Sequence, residues 1–311
     1  MRTFRKEYVL LVFSLSILGI SYFFDGFFSF SYIKMILWNF ILLLLIATGI
    51  STCARSNSLT LGDEGQVYFG AFLSYVFCEL CGLTYFNFLL VMILSSFLVG
   101  VIGIIPFLLT FFFGLNGMLT GLLMSYGNQR LVDGLISKLL GSNEFLSRTK
   151  SINKIFSLDV SLPYLLLFSF LVWVCYVFVH KRTILGLKLE ILSDRKPLSK
   201  FFNIDEFRYK FFTVFISSFL NGLVGSIFLI FFKNYLFLGI TSGLGWNGFV
   251  VAVVSGFNYM YVLCFSLFFS MLNEFNNYLK INYAFRFEFI GLYQSVSIFI
   301  SLFLINNSGR K

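Results

Sequence analysis

Charge is scarce in this sequence. Of 311 residues only 12% are Asp, Glu, Lys or Arg and 58% are hydrophobic, whereas soluble domains carry about a quarter of their residues as charged side chains. A water-soluble globular fold is excluded, and a membrane protein is indicated. Proline is nearly absent, with 3 residues, which removes Pro-rich and collagen-like classes, and the high apolar content removes disorder. Histidine occurs once, as His180, and intramembrane charges are few. No set of acids, bases, nucleophiles or metal ligands gathers in one place, so an enzyme, a metal and a cofactor are not expected. No Gly-x-x-x-x-Gly-Lys-Ser/Thr loop is found, so ATP is not bound through that motif. The five cysteines (Cys53, Cys78, Cys81, Cys175, Cys264) are odd in number and lie in or beside apolar runs, which fits no disulfide framework. Cys78-Glu-Leu-Cys81 has redox or zinc spacing but lacks a second pair, and it reads as part of an apolar helix.

What is abundant is apolar length. A bilayer core about 30 Å thick needs roughly 20 apolar residues per helix, and charge-free runs of that order recur along the chain. Tyr8–Phe24 is the first; no small-residue cleavage site follows it, so it reads as a retained span rather than a signal peptide. Met35–Cys53 and Gly65–Gly82 follow, the latter with Glu79 near its end. Leu80–Gln129 holds two more, interrupted at Pro106 and Gly114. From Arg130 to Asp159 mixed charges suit a membrane surface rather than a span, giving an external amphipathic loop over 128–160. Leu162–Val179 and Phe211–Phe232 are further spans. Gly243–Leu272 is either one tilted span or two broken ones, and Arg286–Ile305 is the last. The fold class is therefore all-α: a single-domain polytopic membrane bundle over 1–311, with about 8–10 transmembrane helices.

The net charge of +9 reads as topology rather than nucleic-acid binding, because loops rich in Lys and Arg stay cytoplasmic. Arg2, Arg5 and Lys6 put the N-terminus inside. Six spans later the chain is inside again, where Lys181, Arg182, Lys188, Arg195, Lys196, Lys200, Arg208 and Lys210 crowd one loop over 181–210. That agreement supports the layout, while charge alone leaves nine spans and ten both open.

Four clusters combine polar or charged side chains with glycine or apolar residues. Thr60-Leu-Gly-Asp-Glu-Gly-Gln66 begins a span; Thr60 and Asp63 have capping spacing, and two acids complement a helix dipole. Gly62, Gly65 and Gly70 beside them point to close helix approach. Asn116-Gly-Met-Leu-Thr-Gly121 contains Gly-x-x-x-Gly, a packing face first and a solute contact second. The loop 181–210 interleaves charges with Leu187, Leu189, Ile191, Leu192, Leu198, Phe201, Phe202 and Ile204, and so lies on the membrane or docks on a partner. In Thr241-Ser-Gly-Leu-Gly-Trp-Asn-Gly-Phe249 the glycines permit a helix break. There Trp246 serves as an interfacial anchor, or stacks on a flat polar solute that Asn247 hydrogen-bonds.

In this order the clusters resemble the permease subunits of bacterial ABC importers, in the branch for nucleosides and simple sugars of ribose or galactose type. Thr60 to Gln66 with Gly70 is similar to the family's Asn-Ile-Gly-x-Glu-Gly-Gln signature, Thr60 replacing asparagine. Ser217-Ser218-Phe-Leu-Asn221-Gly222-Leu-Val-Gly225 is similar to its small-residue helix, and Gly243 to Gly248 to its Gly-x-Gly-aromatic-x-Gly segment. Where that family has a proline soon after, this chain has Phe257-Asn-Tyr-Met260. The resemblance implies a path between two permease subunits in the bacterial inner membrane. It also implies an ATPase partner docked on the loop 181–210 and an extracytoplasmic solute-binding protein or lipoprotein. Small uncharged solutes suit such an interior, because fixed intramembrane charge is costly. The substrate-path residues are then Glu64, Gln66, Asn116, Trp246 and Asn247, and the docking residues Leu192, Pro197, Leu198, Phe201 and Ile204. The Glu-Gly-Gln form favours nucleosides; monosaccharides are the alternative, and an ion-coupled secondary transporter, with Glu79 as its carboxylate, a further one.

Overall fold

The structure, a computed structural model, describes residues 30–82, 84, 87–140, 149–152, 158–194 and 204–283. The expected spans at Tyr8–Phe24 and Arg286–Ile305 lie outside the described residues. So do Pro197, Leu198 and Phe201. Nine α-helices and no strand occur among the described residues, as the apolar runs require. They are α1 (Phe30–Arg55), α2 (Asp63–Cys81), α3 (Phe88–Phe113), α4 (Gly117–Leu140), α5 (Leu158–Arg182), α6 (Ile184–Asp194), α7 (Glu206–Ile227), α8 (Leu244–Val254) and α9 (Tyr259–Tyr283). A π-helical segment, Phe228–Lys233, prolongs α7 and stops at Asn234, whose φ of 61° turns the chain. Helices α1, α3, α5 and α7 with its extension are each long and apolar enough to cross a membrane. The chain is thus a polytopic all-α membrane bundle.

Helix α1 is apolar on every side, and such a helix belongs in the middle of a bundle. Ile41, Leu43, Leu44, Leu45 and Ile46 are fully enclosed, with α5, α7, α8 and α9 packed around them. Helix α2 is less apolar and is enclosed by α3, α4, α7 and α8, which is why its polar first turn has partners. Helix α5 is the outer one: only 17% of its most apolar window is buried, and Tyr164, Leu167, Phe170 and Phe178 point outward. In a bilayer that face meets lipid or a neighbouring membrane chain at little cost.

Two helices run further than the charge pattern suggests. The span expected to close at Gln129 continues in α4 to Leu140, because Val132 and Ile136 are fully buried on its inner side and Asp133 accepts a 2.6 Å hydrogen bond from the Tyr68 hydroxyl. The stretch 128–160 therefore begins inside this helix. The run 243–272, open between one span and two, is broken at 255–258 into α8 and α9. Helix α9 then passes through Glu274 to Tyr283. Glu274 is buried, and its Oε1 accepts from the side-chain amides of Asn39 on α1 and, at 3.3 Å, Asn277. These donors let an acid sit within a packed helix pair. Glu79, the carboxylate noted from sequence, lies instead on an exposed turn near the end of α2 and accepts from Tyr75 at 3.2 Å. Asn39→Ala removes the cross-helix donor, and interhelical polar contacts of this kind contribute about 1 kcal/mol. A loss of about that size is the expected result in a detergent unfolding titration of the full chain.

A candidate site where two helix starts meet

The first turn of a helix leaves backbone N–H groups without partners and carries a positive dipole end. Helices α2 and α8 bring two such ends together. A Cβ built on Gly245 would sit 2.4 Å from the Glu64 backbone nitrogen, so only glycine permits the approach. Two facing positive ends repel, and the side chain between them is Glu64. Its Oε1 accepts from the Thr241 hydroxyl at 2.5 Å and the Gly243 N–H at 3.0 Å. Its Oε2 accepts from the Gly245 N–H at 2.6 Å and the Trp246 N–H at 3.4 Å. Charge-assisted bonds of this type are the strong ones. The acid that by sequence complements its own helix thus caps a different one, 181 residues downstream at Gly245.

Nor does the Thr60–Asp63 spacing form a cap: Gly62 is the N-cap residue of α2 and no side-chain cap bond is made there. The α2 start is closed from outside itself. Gly65 N–H donates to Ser125 Oγ of α4 at 2.9 Å. From α7, Asn221 Nδ2 donates to Asp63 Oδ1 and to Gln66 Oε1, both at 2.8 Å. Asn221 is fully buried, and its own Oδ1 has no hydrogen-bond partner among the described residues. Gly225 lies against α2, where a Cβ would stand 2.1 Å from the Val67 carbonyl oxygen, while a Cβ on Gly222 would meet Val99 of α3 at 2.7 Å. The small residues of α7 are therefore the contacts at which α1, α2 and α3 cross it: Ser217 against Gly49, Ser218 against Gly103, Gly222 against Val99 and Gly225 against Val67.

The sequence-derived residues separate into three places. Glu64 and Gln66 are buried inside this hydrogen-bonded junction. Trp246 and Asn247 stand half-buried on the first turn of α8, directly beyond Glu64. Asn116 is apart from them, exposed before α4, with Oδ1 accepting from the Met118 N–H at 3.0 Å. Sequence reasoning passed over Asp63 and Thr241 as site partners; the signal available for Asn221 was an amide inside an otherwise apolar run. Of the docking residues, Leu192 is buried on the inner side of α6 with Gly186 and Leu189, and Ile204 is half-buried before α7. The apolar side chains that α6 exposes are Ile184, Leu185 and Leu187. Among the described residues no group of acids, His and Cys could hold a metal ion.

Short, interrupted apolar helices with polar groups at their starts recur in membrane transporters. The model of one protein family, described as "Branched-chain amino acid transport system / permease component", matches residues 32–305. The chain belongs to this family of ABC-transporter permeases. No curated protein and no solved structure matches it.

Proposed function

We propose that this chain is the membrane-spanning permease of an ATP-driven importer and forms part of the path for nucleosides. The observation that carries the reading is α8: an 11-residue helix whose capped start presents Trp246 and Asn247. Discontinuous helices in membrane transporters place backbone ends and polar side chains at substrate depth. An indole stacks on a flat base and an amide serves its edge. Glu64 and Gln66 act there as the frame that fixes α8 rather than as solute contacts, and Asn116 contributes at the far end of the path. The bundle sits in the bacterial inner membrane with its N-terminus cytoplasmic. A second, related permease completes the path, an extracytoplasmic binding protein or lipoprotein delivers solute, and no nucleic acid is involved.

ATP hydrolysis resides in a separate ATPase docked on the cytoplasmic loop 181–210. Helix α6 suits that role because it exposes Ile184, Leu185 and Leu187 while Leu192 anchors it from beneath; Pro197, Leu198 and Phe201, outside the described residues, and Ile204 belong to the same docking loop by sequence. Leu187→Asp puts a charge at the centre of this surface without touching the inner side. It should abolish copurification of the ATPase while the chain remains in the membrane at normal abundance. Affinity purification from the native membrane followed by mass spectrometry reads the result. Uptake of labelled nucleosides by vesicles holding the purified complex, against ribose, galactose and leucine, tests the substrate. ATP-dependent nucleoside uptake that excess ribose leaves unchanged supports the assignment. Preference for a monosaccharide or a branched-chain amino acid replaces it, and uptake without ATP points to an ion-coupled carrier.

A further inference from the structure

The helix that starts at Glu64 ends in a turn joined to two other helix ends. Gly256 and Phe257 take φ of 59° and 56°, and the Phe257 N–H donates back to the Ala252 carbonyl at 3.1 Å. Proline, locked near φ −65°, cannot occupy position 257 in this geometry. Arg55, the last residue of α1, donates from Nε to the Phe257 carbonyl at 3.1 Å. Its guanidinium carbon also stands 5.3 Å from the centroid of the Tyr259 ring. From the end of α5, Lys181 Nζ stands 4.6 Å from the same ring. Just over two turns earlier, the Trp173 indole N–H donates to the Tyr259 carbonyl at 2.8 Å. Two cations from different helices thus meet one aromatic ring at the first residue of α9. Beside them Tyr176 and His180 stack edge to face at 4.6 Å.

Helix α6 is attached to the same place. A Cβ on Gly186 would lie 2.4 Å from the His180 carbonyl oxygen, and the Thr183 hydroxyl donates to the Val179 carbonyl at 2.5 Å. The α5–α6 corner is therefore folded tightly back on itself, with Lys181 exposed at its edge. Lys181 sits next to this corner in the last turn of α5, and its Nζ reaches the Tyr259 ring just beyond the turn that closes α8.

We infer that Arg55, Tyr259 and Lys181 form a clasp that passes movement of the docking helix α6 to α8, with Tyr259 as the positioning residue at its centre. The inference rests on the reading of α6 as the ATPase-docking piece. The mechanism needs only ring faces for the cations, so the Tyr259 hydroxyl is dispensable and the ring is not. Loss of the ring leaves docking intact and separates hydrolysis from transport.

The test uses the purified complex with its copurified ATPase in vesicles, measuring ATP hydrolysed and labelled solute taken up in parallel. Tyr259→Ala should retain the ATPase and its hydrolysis, while solute taken up per ATP falls about tenfold, within the range for coupling between sites. Tyr259→Phe should behave as wild type. Lys181→Met, which keeps the stem and removes the charge, should fall in the same direction and carries the test should Tyr259→Ala fail to accumulate. An unchanged ratio in Tyr259→Ala and Lys181→Met, or equal damage in Tyr259→Phe, overturns the clasp and leaves the docking reading standing. Copurification of the ATPase with Leu187→Asp at wild-type yield removes the docking reading, and the clasp with it.

Discussion

Glu64→Ala should unfold the α2–α8 junction and abolish uptake. The substitution leaves the Thr241 hydroxyl and the Gly243 and Gly245 N–H groups without their acceptor. It also leaves two positive helix ends facing each other with nothing between them. Each buried donor stripped of its partner costs about 1–3 kcal/mol, more where the partner was charged. Partial rehydration of the half-buried Gly243 recovers some of this, giving an expected net loss of about 3–5 kcal/mol. Glu64→Gln keeps one carbonyl acceptor but turns an amide N–H₂ toward N–H donors, so about half of that loss is expected. Thermal unfolding of the detergent-purified chain orders the three proteins. Equal stability of Glu64→Ala and wild type would show that the carboxylate does not hold α8.

Gly225→Leu should prevent the bundle from forming. The obstacle on the α2 side is backbone, the Val67 carbonyl oxygen at 2.1 Å and the Ala71 nitrogen at 2.7 Å from a built Cβ, and backbone inside a packed crossing does not step aside as a flexible side chain does. Even Gly225→Ala forces α2 and α7 apart, and overpacking of this kind costs about 1–3 kcal/mol, occasionally more. Leucine adds a branched side chain to the same contact and should leave no folded protein in detergent extracts. Gly134 is the control, since it lies on the exposed side of α4 with nothing within 4 Å of a built Cβ. Gly134→Ala should change stability by less than about 1 kcal/mol, on the favourable side, because alanine lowers the entropy of the unfolded chain. Size-exclusion profiles of fluorescent fusions of the three variants, with thermal melts of those that fold, separate packing from propensity.

The all-α membrane class was legible from composition and charge-free runs alone, since continuous apolar runs of about 20 residues suit a spanning helix, whereas barrel strands alternate apolar with polar residues. The importance of Gly62 to Gln66, of Gly222 and Gly225, and of Gly243 to Gly248 was legible as well, because glycine clusters in apolar helices mark close approach. What they approach was not. The four donors of Glu64 come from residues 177 to 182 positions away along the chain, and Asn221 reaches Asp63 across 158. Spacing rules describe neighbours on one helix, and by those rules Thr60 and Asp63 were the natural pair. Glu274 was passed over for the same reason: its partner Asn39 lies 235 positions earlier, and a lone acid after an apolar run reads as the end of a span.

The sequence by itself determined that this chain is a bundle of helices in a membrane and which small residues permit crossings. Most helix starts were legible to within a few residues, while two helices ran about eleven residues further than expected and α3 passed through Pro106 unbroken. The legible features are consequences of solvent transfer and backbone freedom, which each segment carries locally. Only the tertiary structure decided that Glu64 caps α8, that Leu192 faces inward while Leu187 faces out, and that one tyrosine joins the ends of three helices. Partner choice across a hundred residues is set by which faces pack first and tightest, and no local pattern encodes that.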